Sequence, residues 1–138
     1  MADHPDHWYQ QSAVIPFRIS DDGSLEVMLI TSRKKKRWVI PKGIIEPDMS
    51  PPASAAKEAE EEAGIRGHVY PDLLGTFTYD KWGGTCTCQV YVMRVEEVME
   101  QWLENFRDRE WVDLETAAQR MKENEMQNIM RSMTSFKT

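Results

Sequence analysis

Hydrophobic and polar residues alternate along the first part of the chain as they do in β-strands. From residue 12 to residue 19 the apolar side chains recur at every second position, which predicts a strand; they are Ala13, Ile15, Phe17 and Ile19. Asp21-Asp22-Gly23 predicts a turn, and residues 25–30 predict the returning strand of a hairpin. The short apolar run at residues 38–40 predicts a central strand that Pro41 ends.

The middle of the chain changes to a helical pattern. Residues 42–49 predict an irregular loop. Ser50 predicts a helix N-cap, with Pro51 tolerated at the first helical position. Gly64 predicts the end of this helix, because glycine readily adopts the left-handed conformation found there.

Strands and helices both follow in the C-terminal half. Residues 69–79 and 85–95 predict two long strands joined across Gly83-Gly84. Asp113 predicts the cap of a helix over residues 114–121. A second helical pattern follows, and its apolar side chains predict core packing; they are Met126, Ile129, Met130, Met133 and Phe136.

This order of elements predicts an α/β sandwich, in which a mixed central sheet carries helices on both faces. A chain of 138 residues is long enough for one domain with a substantial core. We therefore expect a single domain over residues 1–138, with residues 1–10 as a loose N-terminal tail.

Composition and charge exclude several classes of function. The net charge of −6 argues against binding to a nucleic acid polymer, although residues 33–37 form an unbroken basic run. No apolar run approaches the length of a membrane span, and the polar start lacks a signal peptide's apolar core. We expect a cytoplasmic protein with no membrane partner. Cys86 and Cys88 predict a reduced, buried pair.

Three glutamates, Glu58, Glu61 and Glu62, lie within an arc of about 100° on the predicted central helix. A Glu-rich helical face is by itself usually just solvated. Converging carboxylates without Cys or His nevertheless suit a hard cation, Mg²⁺ before Zn²⁺. Glu60 points away from the other three, which predicts a solvent-exposed residue.

The spacing around these glutamates carries more information. The chain reads Gly43, five residues, Met49, seven residues, and then Lys57-Glu58-Ala59-Glu60-Glu61-Glu62-Ala63-Gly64-Ile65. This closely resembles the Nudix hydrolase pattern G-x5-E-x7-R-E-U-x-E-E-x-G-U, where U is aliphatic. The resemblance implies a Nudix-type α/β/α sandwich with a mixed central sheet and hydrolysis of a diphosphate linkage.

The same resemblance implies the site residues. Glu58, Glu61 and Glu62 are the expected catalytic and metal-binding residues, and the main-chain oxygen of Gly43 is a further expected ligand. The expected cofactor is Mg²⁺, with Mn²⁺ as a substitute. The sequence leaves open which carboxylate acts as general base, and Glu96 and Glu97 remain outside candidates.

Two positions depart from the Nudix pattern, since Met49 replaces its first glutamate and Lys57 replaces its arginine. In the family these positions form an ion pair that braces the loop against the helix. We expect Lys57 to pair with Glu61 one turn away, and Asp48 to serve partly in place of Met49.

Further stretches are similar to the diphosphoinositol polyphosphate and diadenosine polyphosphate hydrolases of the superfamily, namely residues 38–43, Glu46-Pro47 and residues 107–111. A small-molecule polyphosphate would need cations and hydroxyls beyond the metal. The candidates are Arg18, Ser32, Arg33, Arg37, Lys42 and Arg109. Tyr79 and Trp82, beside the glycine turn, are candidates for stacking on a base.

Two other classes stay open at this stage. One is a non-catalytic module that senses a nucleotide or polyphosphate on the same fold, although such a sensor would be expected to lose at least one glutamate. The other is an unrelated α/β scaffold with an accidental acidic helix. The glycines at 43 and 64 argue against this second class. The sequence leaves the physiological substrate, the bond cleaved and the oligomeric state open.

Overall fold

The computed structural model describes residues 4–136, and within them eight strands form one mixed sheet. The strands are β1 (Gln10–Ile19), β2 (Leu25–Thr31), β3 (Trp38–Val39), β4 (Lys42–Ile44), β5 (Ile65–Val69), β6 (Gly75–Lys81), β7 (Gly84–Val98) and β8 (Arg109–Asp113). Three α-helices accompany them, α1 (Pro51–Ala63), α2 (Leu114–Arg120) and α3 (Asn124–Ser132).

The sheet is built around the parallel pair of β1 and β7, which runs from Gln10 opposite Thr87 to Phe17 opposite Arg94. Every other strand pair is antiparallel. The predicted β1–β2 hairpin is present, and Gly23 in its turn has a φ of 85°. β5 and β6 both pair with β7, because that long strand offers a separate partner segment to each.

The two faces of the sheet carry separate apolar cores. Ala13, Ile15 and Phe17 of β1 pack with α2 and α3 and with the buried methionines Met121, Met126, Met130 and Met133. Val14, which points to the opposite face because strand side chains alternate, packs with the alanines of α1. The predicted sandwich and the core role of the methionines are therefore confirmed. Cys86 and Cys88 are buried free thiols, as expected.

Several local predictions were wrong. The expected central strand at residues 38–40 is only the two-residue β3, which pairs with β2. The expected loop at residues 42–49 begins with β4, which pairs with β1. The first predicted long strand is two strands, β5 and β6, separated by a loop. In each case the pairing depends on a distant partner, which a local pattern does not specify.

The expected loose tail is ordered over the residues that the structure describes. Asp6–Tyr9 forms a 3₁₀ helix, and β1 begins at Gln10. The Trp8 ring lies 5.4 Å from the Trp82 ring, centroid to centroid, so this segment packs on the β6–β7 turn. Residues 1–3 lie outside the described residues.

None of the helices formed between residues 4 and 136 has the length and apolar character needed to cross a membrane.

Candidate active site

Helix α1 carries the three glutamates, and its ends are encoded locally. The Ser50 hydroxyl accepts a hydrogen bond from the Ala53 N–H at 3.2 Å, and Gly64 ends the helix with φ 66° and ψ 39°. One face of the helix is fully buried against the sheet through Ala55, Ala59 and Ala63. That packing turns Glu58 and Glu62 toward the strand that bears Gly43.

Gly43 and Glu58 are in direct proximity. A Cβ atom at residue 43 would lie 2.5 Å from Oε2 and 2.6 Å from Oε1 of Glu58, closer than Cβ atoms approach other heavy atoms. β4 is fixed in this position by its pairing with β1, in which Gly43 lies opposite Ser12. Glycine is therefore the residue that leaves room for the Glu58 carboxylate here.

Glu62 lies deeper than Glu58, with 9% of its surface exposed. Its carboxylate accepts a hydrogen bond from the Lys42 backbone N–H at 3.3 Å and lies near that of Glu58, one turn earlier on α1. Burial raises the pKa of Glu62 to about 8, and the charge of Glu58 adds to this against the opposing charge of Arg107. Burial, together with Glu61, raises the pKa of Glu58 to about 7.

Glu61 lines the same cleft and also contacts Lys57. The Lys57 ammonium lies 3.9 Å from a carboxylate oxygen of Glu61 and 2.6 Å from one of Glu46. The expected Lys57–Glu61 contact is therefore present. The loop carboxylate that replaces the one lost at Met49 is Glu46, however, and Asp48 was the wrong choice.

The residues fit a hard divalent cation chemically, although they are not yet arranged around one. Within residues 4–136, no three His, Cys, Asp or Glu side chains stand close enough together to hold a metal ion. Two adjacent carboxyls with raised pKa values need either a proton or a cation between them. The buried Ser12 hydroxyl, opposite Gly43, also has no hydrogen-bond partner among the described residues. Glu61 would have to rotate away from Lys57 to complete an oxygen-only ligand set.

The glutamates line a cleft of about 500 Å³ whose other walls are basic and aromatic. Arg33, Lys42, Lys81 and Trp82 belong to these walls. A second cavity of about 230 Å³ shares Arg33, Lys42, Lys81 and Glu62 with the cleft and extends it toward Ser32, Arg37 and Arg107. The geometry therefore juxtaposes carboxylates with cations, which is what a polyphosphate–metal complex requires.

Four of the predicted substrate residues lie along this cleft and its extension. The Arg33 side chain is 70% exposed and lies 3.6 Å from Glu104. The Lys42 ammonium lies 4.9 Å from the centroid of the Tyr79 ring, and burial lowers its pKa. Arg37 is exposed at the rim of the extension. The Ser32 hydroxyl accepts a hydrogen bond from the Lys36 N–H at 3.2 Å, which stabilises the basic loop at residues 33–37.

Two predicted substrate residues lie elsewhere. Arg18 is near the far end of β1, where it pairs with Glu26 at 2.8 Å and stacks on Trp111. The Arg109 guanidinium donates to the carbonyls of Ala63 and Met99 at the end of α1 and does not line the cleft. Neither placement supports binding to a phosphate in the cleft.

Sequence reasoning missed Glu104 and Arg107. Arg107 is 7% exposed, donates to the Thr31 carbonyl at 2.8 Å and pairs with Glu104 at 3.0 Å. Glu104 lines the cleft beside the α1 glutamates. The only sequence signal was the stretch at residues 107–111, already noted for its resemblance. Within that stretch the predicted substrate residue was Arg109, whereas Arg107 is the arginine that reaches the second cavity.

The two aromatic candidates, Tyr79 and Trp82, differ in how accessible they are to a ligand. The Tyr79 hydroxyl donates to Gln11, and burial raises its pKa. Trp82 lies at the cleft rim with a positive φ of 56°, and Lys81 stacks on its ring at 4.6 Å. Trp82 is therefore the better placed of the two for contact with a ligand at the cleft mouth.

The remaining acidic candidates are engaged outside the cleft. Glu60 pairs with Arg66 at 2.8 Å, with 46% of its side chain exposed, as expected for a solvent residue. Glu97 also pairs with Arg66, at 3.6 Å, and Glu96 pairs with Arg94 at 3.2 Å. These contacts support a surface role for all three.

Comparison with known proteins gives a consistent result. The NUDIX domain matches residues 8–133. Diphosphoinositol polyphosphate phosphohydrolase 3-beta of Bos taurus is 35% identical over 117 residues, which cover 82% of this chain and 69% of the relative. The 3-alpha protein of Homo sapiens gives the same identity and coverage.

Among solved structures, the crystal structure of C. elegans Ap4A hydrolase superposes with a TM-score of 0.76. It is 22% identical, and the match covers 92% of this chain and 96% of that one. At this identity the likeness bears on the fold alone.

Proposed function

The chain belongs to the Nudix family of diphosphate hydrolases, and from that premise we propose Mg²⁺-dependent hydrolysis of a diphosphate linkage in a small polyphosphate. Mn²⁺ is expected to substitute for Mg²⁺. The substrate class is an inositol pyrophosphate or a dinucleoside polyphosphate. The names of the relatives support the first of these, and the aromatic rim at Trp82 supports the second.

The observation that carries this proposal is the pairing of the buried Glu62 with the half-buried Glu58, which lies against Gly43, in a cleft with basic walls. Two carboxyls kept this close without a cation have raised pKa values. Such a pair costs stability in the absence of a ligand, and a divalent cation would relieve that cost. Arg33 and Lys42, which also line the cleft, offer charge to phosphates.

The residues that would hold the metal are Glu58, Glu61, Glu62 and the main-chain oxygen of Gly43. A bound Mg²⁺ neutralises phosphate charge and activates the attacking water. The chain's own contribution is positional: Arg33 and Lys42 orient the phosphates, and the carboxylate left free of metal accepts a proton from the water. Glu104, which lines the cleft outside this ligand set, is the candidate for that base.

The test is a panel of polyphosphates incubated with the protein and Mg²⁺, with products identified by chromatography and mass spectrometry. The panel contains an inositol pyrophosphate, a diadenosine polyphosphate and a nucleoside triphosphate. Release of phosphate, or of a nucleotide pair, from at least one compound is expected. Binding of a compound without any product would favour the non-catalytic sensor instead.

Two matched variants make the test specific to the site. Glu62→Gln should lower kcat by about 100-fold or more, since even residues outside the metal's own ligand set contribute about 10- to 100-fold. Glu60→Gln lies on the same helix and should leave kcat within about twofold. Similar losses in both variants would contradict the proposed geometry. The cytoplasmic location and the single-domain organisation stay predictions.

A further inference from the structure

The end of α1 is bonded to a segment that lies far from it in sequence. The last carbonyls of a helix have no partner within the helix and need donors from elsewhere. Here the donors come from residues 99–109, hereafter the 99–109 segment. The bonds are Glu104 N–H to Glu61 O at 2.9 Å, Trp102 Nε1 to Glu62 O at 3.1 Å, Arg109 Nη1 to Ala63 O at 3.0 Å and Met99 N–H to Gly64 O at 2.8 Å.

Two side chains dominate this contact. Arg109 Nη1 also donates to the Met99 carbonyl at 2.9 Å. One guanidinium therefore bonds both the end of α1 and the residue that follows β7. Its Cζ atom lies 3.8 Å from the centroid of the Trp102 ring. That ring in turn lies so close to Gly64 that a Cβ there would be 2.8 Å from it. A cation at the carboxyl end of a helix is also favoured by the helix dipole.

Two of the four bonded carbonyls belong to residues of the proposed site, Glu61 and Glu62, and the other two directly follow them. Trp102 fixes the main chain of Glu62, whose carboxylate lies in the cleft, and the Glu104 N–H fixes that of Glu61. The direction of each side chain follows from its main chain, and metal ligands tolerate little error in position. The Arg33–Glu104 contact at 3.6 Å connects the same segment to the basic wall.

We propose that Arg109 and Trp102 are positioning residues that fix the main chain of the last turn of α1, and with it the positions from which Glu61 and Glu62 reach the metal. This role rests on the proposed function, since it concerns the same metal site. It replaces the phosphate-binding role that the sequence predicts for Arg109. Arg109 touches neither substrate nor metal in this assignment and acts through the helix.

The test compares Mn²⁺ binding and kinetics in wild-type protein and Arg109→Met. The Kd for Mn²⁺, measured from the EPR signal of the free ion, should rise by about tenfold, as for other residues that orient metal ligands. KM for the substrate at saturating Mn²⁺ should stay within about twofold. Arg109→Lys, which keeps a donor and a charge, should recover part of the affinity. An unchanged Kd with a raised KM would overturn the proposal and restore the phosphate-binding role.

Arg120→Met is the matched control, because Arg120 also stacks on a tryptophan, Trp38 at 5.2 Å, and forms an ion pair with Glu110. It makes no contact with α1, so its Kd for Mn²⁺ should equal that of the wild type. An equal rise in Arg120→Met and Arg109→Met would overturn the positioning role, because it would report general destabilisation.

Trp102→Phe guards against a poorly folded Arg109 variant, since it keeps an aromatic ring at this position and removes the Nε1 donor to Glu62. Its Kd should rise by about threefold or more, and an unchanged value would overturn the proposal. Wild-type protein that binds Mn²⁺ but cleaves no polyphosphate would contradict the proposed function alone, and the Kd comparison would still decide the positioning role. Wild-type protein that binds no Mn²⁺ would overturn both.

Discussion

Replacing Gly43 with alanine should lower the activity of the protein without lowering its stability. The new Cβ would lie 2.4 Å from Cδ of Glu58, whereas ordinary contacts begin at 3.4 Å. The carboxylate must therefore retreat by about 1 Å. Displacements of about 1 Å in a catalytic group can cost about 100-fold in rate, so we expect kcat to fall by about that factor at saturating Mg²⁺.

The same substitution should leave the fold intact. The atoms that clash belong to the end of a flexible side chain, and Gly43 is not among the glycines with a positive φ. An alanine that fits the backbone restricts the unfolded chain and stabilises by about 0.4–1 kcal/mol. Thermal unfolding of Gly43→Ala should therefore show a Tm equal to or above that of the wild type.

A double-mutant cycle identifies Glu58 as the group through which the alanine acts. In a Glu58→Gln background the metal ligand is already lost, so adding Gly43→Ala should change kcat by less than about twofold. Wild-type kcat in Gly43→Ala would refute the proposed contact. A full 100-fold loss of kcat in the Glu58→Gln background would show that the alanine does not act through Glu58.

The remaining predictions concern pH, the loop and the aromatic rim. Without metal, the free energy of unfolding should fall as pH rises from about 4.5 to about 8. The raised pKa values of Glu58, about 7, and Glu62, about 8, mean that the folded protein binds more protons than the unfolded chain over that range. In denaturant titrations with EDTA above pH 8, Glu62→Gln should be more stable than wild type by at least about 1.4 kcal/mol, the equivalent of one pKa unit; equal stability would contradict the shift. Lys57→Met should lower kcat by about tenfold, because it releases the loop at Glu46. Glu46→Gln should lower kcat by the same factor in steady-state assays. Different losses in the two variants would mean that the Lys57–Glu46 pair does not act as a unit. Trp82→Ala should raise KM for a diadenosine polyphosphate by about tenfold through lost stacking and leave an inositol pyrophosphate unchanged; equal effects on both would make the ring structural.

The parts of the fold that the sequence predicts well are those encoded locally. Helix α1 begins and ends where Ser50 and Gly64 place it, because a cap and a left-handed glycine act on their own neighbours. The hairpin at Gly23 is a second case. By contrast, β4 depends on pairing with β1 about 30 residues away, and no local pattern in a three-residue strand reports that.

The candidate site divides in the same way. The helical period places Glu58 and Glu62 one turn apart on one face of α1, and the resemblance to the Nudix pattern implies that Gly43 lies beside them. The partner of Lys57 depends on the path of that loop, so Glu46 could not be chosen over Asp48 from the sequence. Arg107 and Arg109 are two residues apart, and only the tertiary packing shows which one reaches the cleft.

Crystals soaked in Mn²⁺ and measured at the manganese absorption edge test the central claim most directly. We expect an anomalous peak within about 2.0–2.4 Å of carboxylate oxygens from Glu58 and Glu62, close to the main-chain oxygen of Gly43. Such a peak would place the cation at the floor of the cleft. A fully soaked, well-ordered crystal with no peak there, or with its peak elsewhere, would contradict the account.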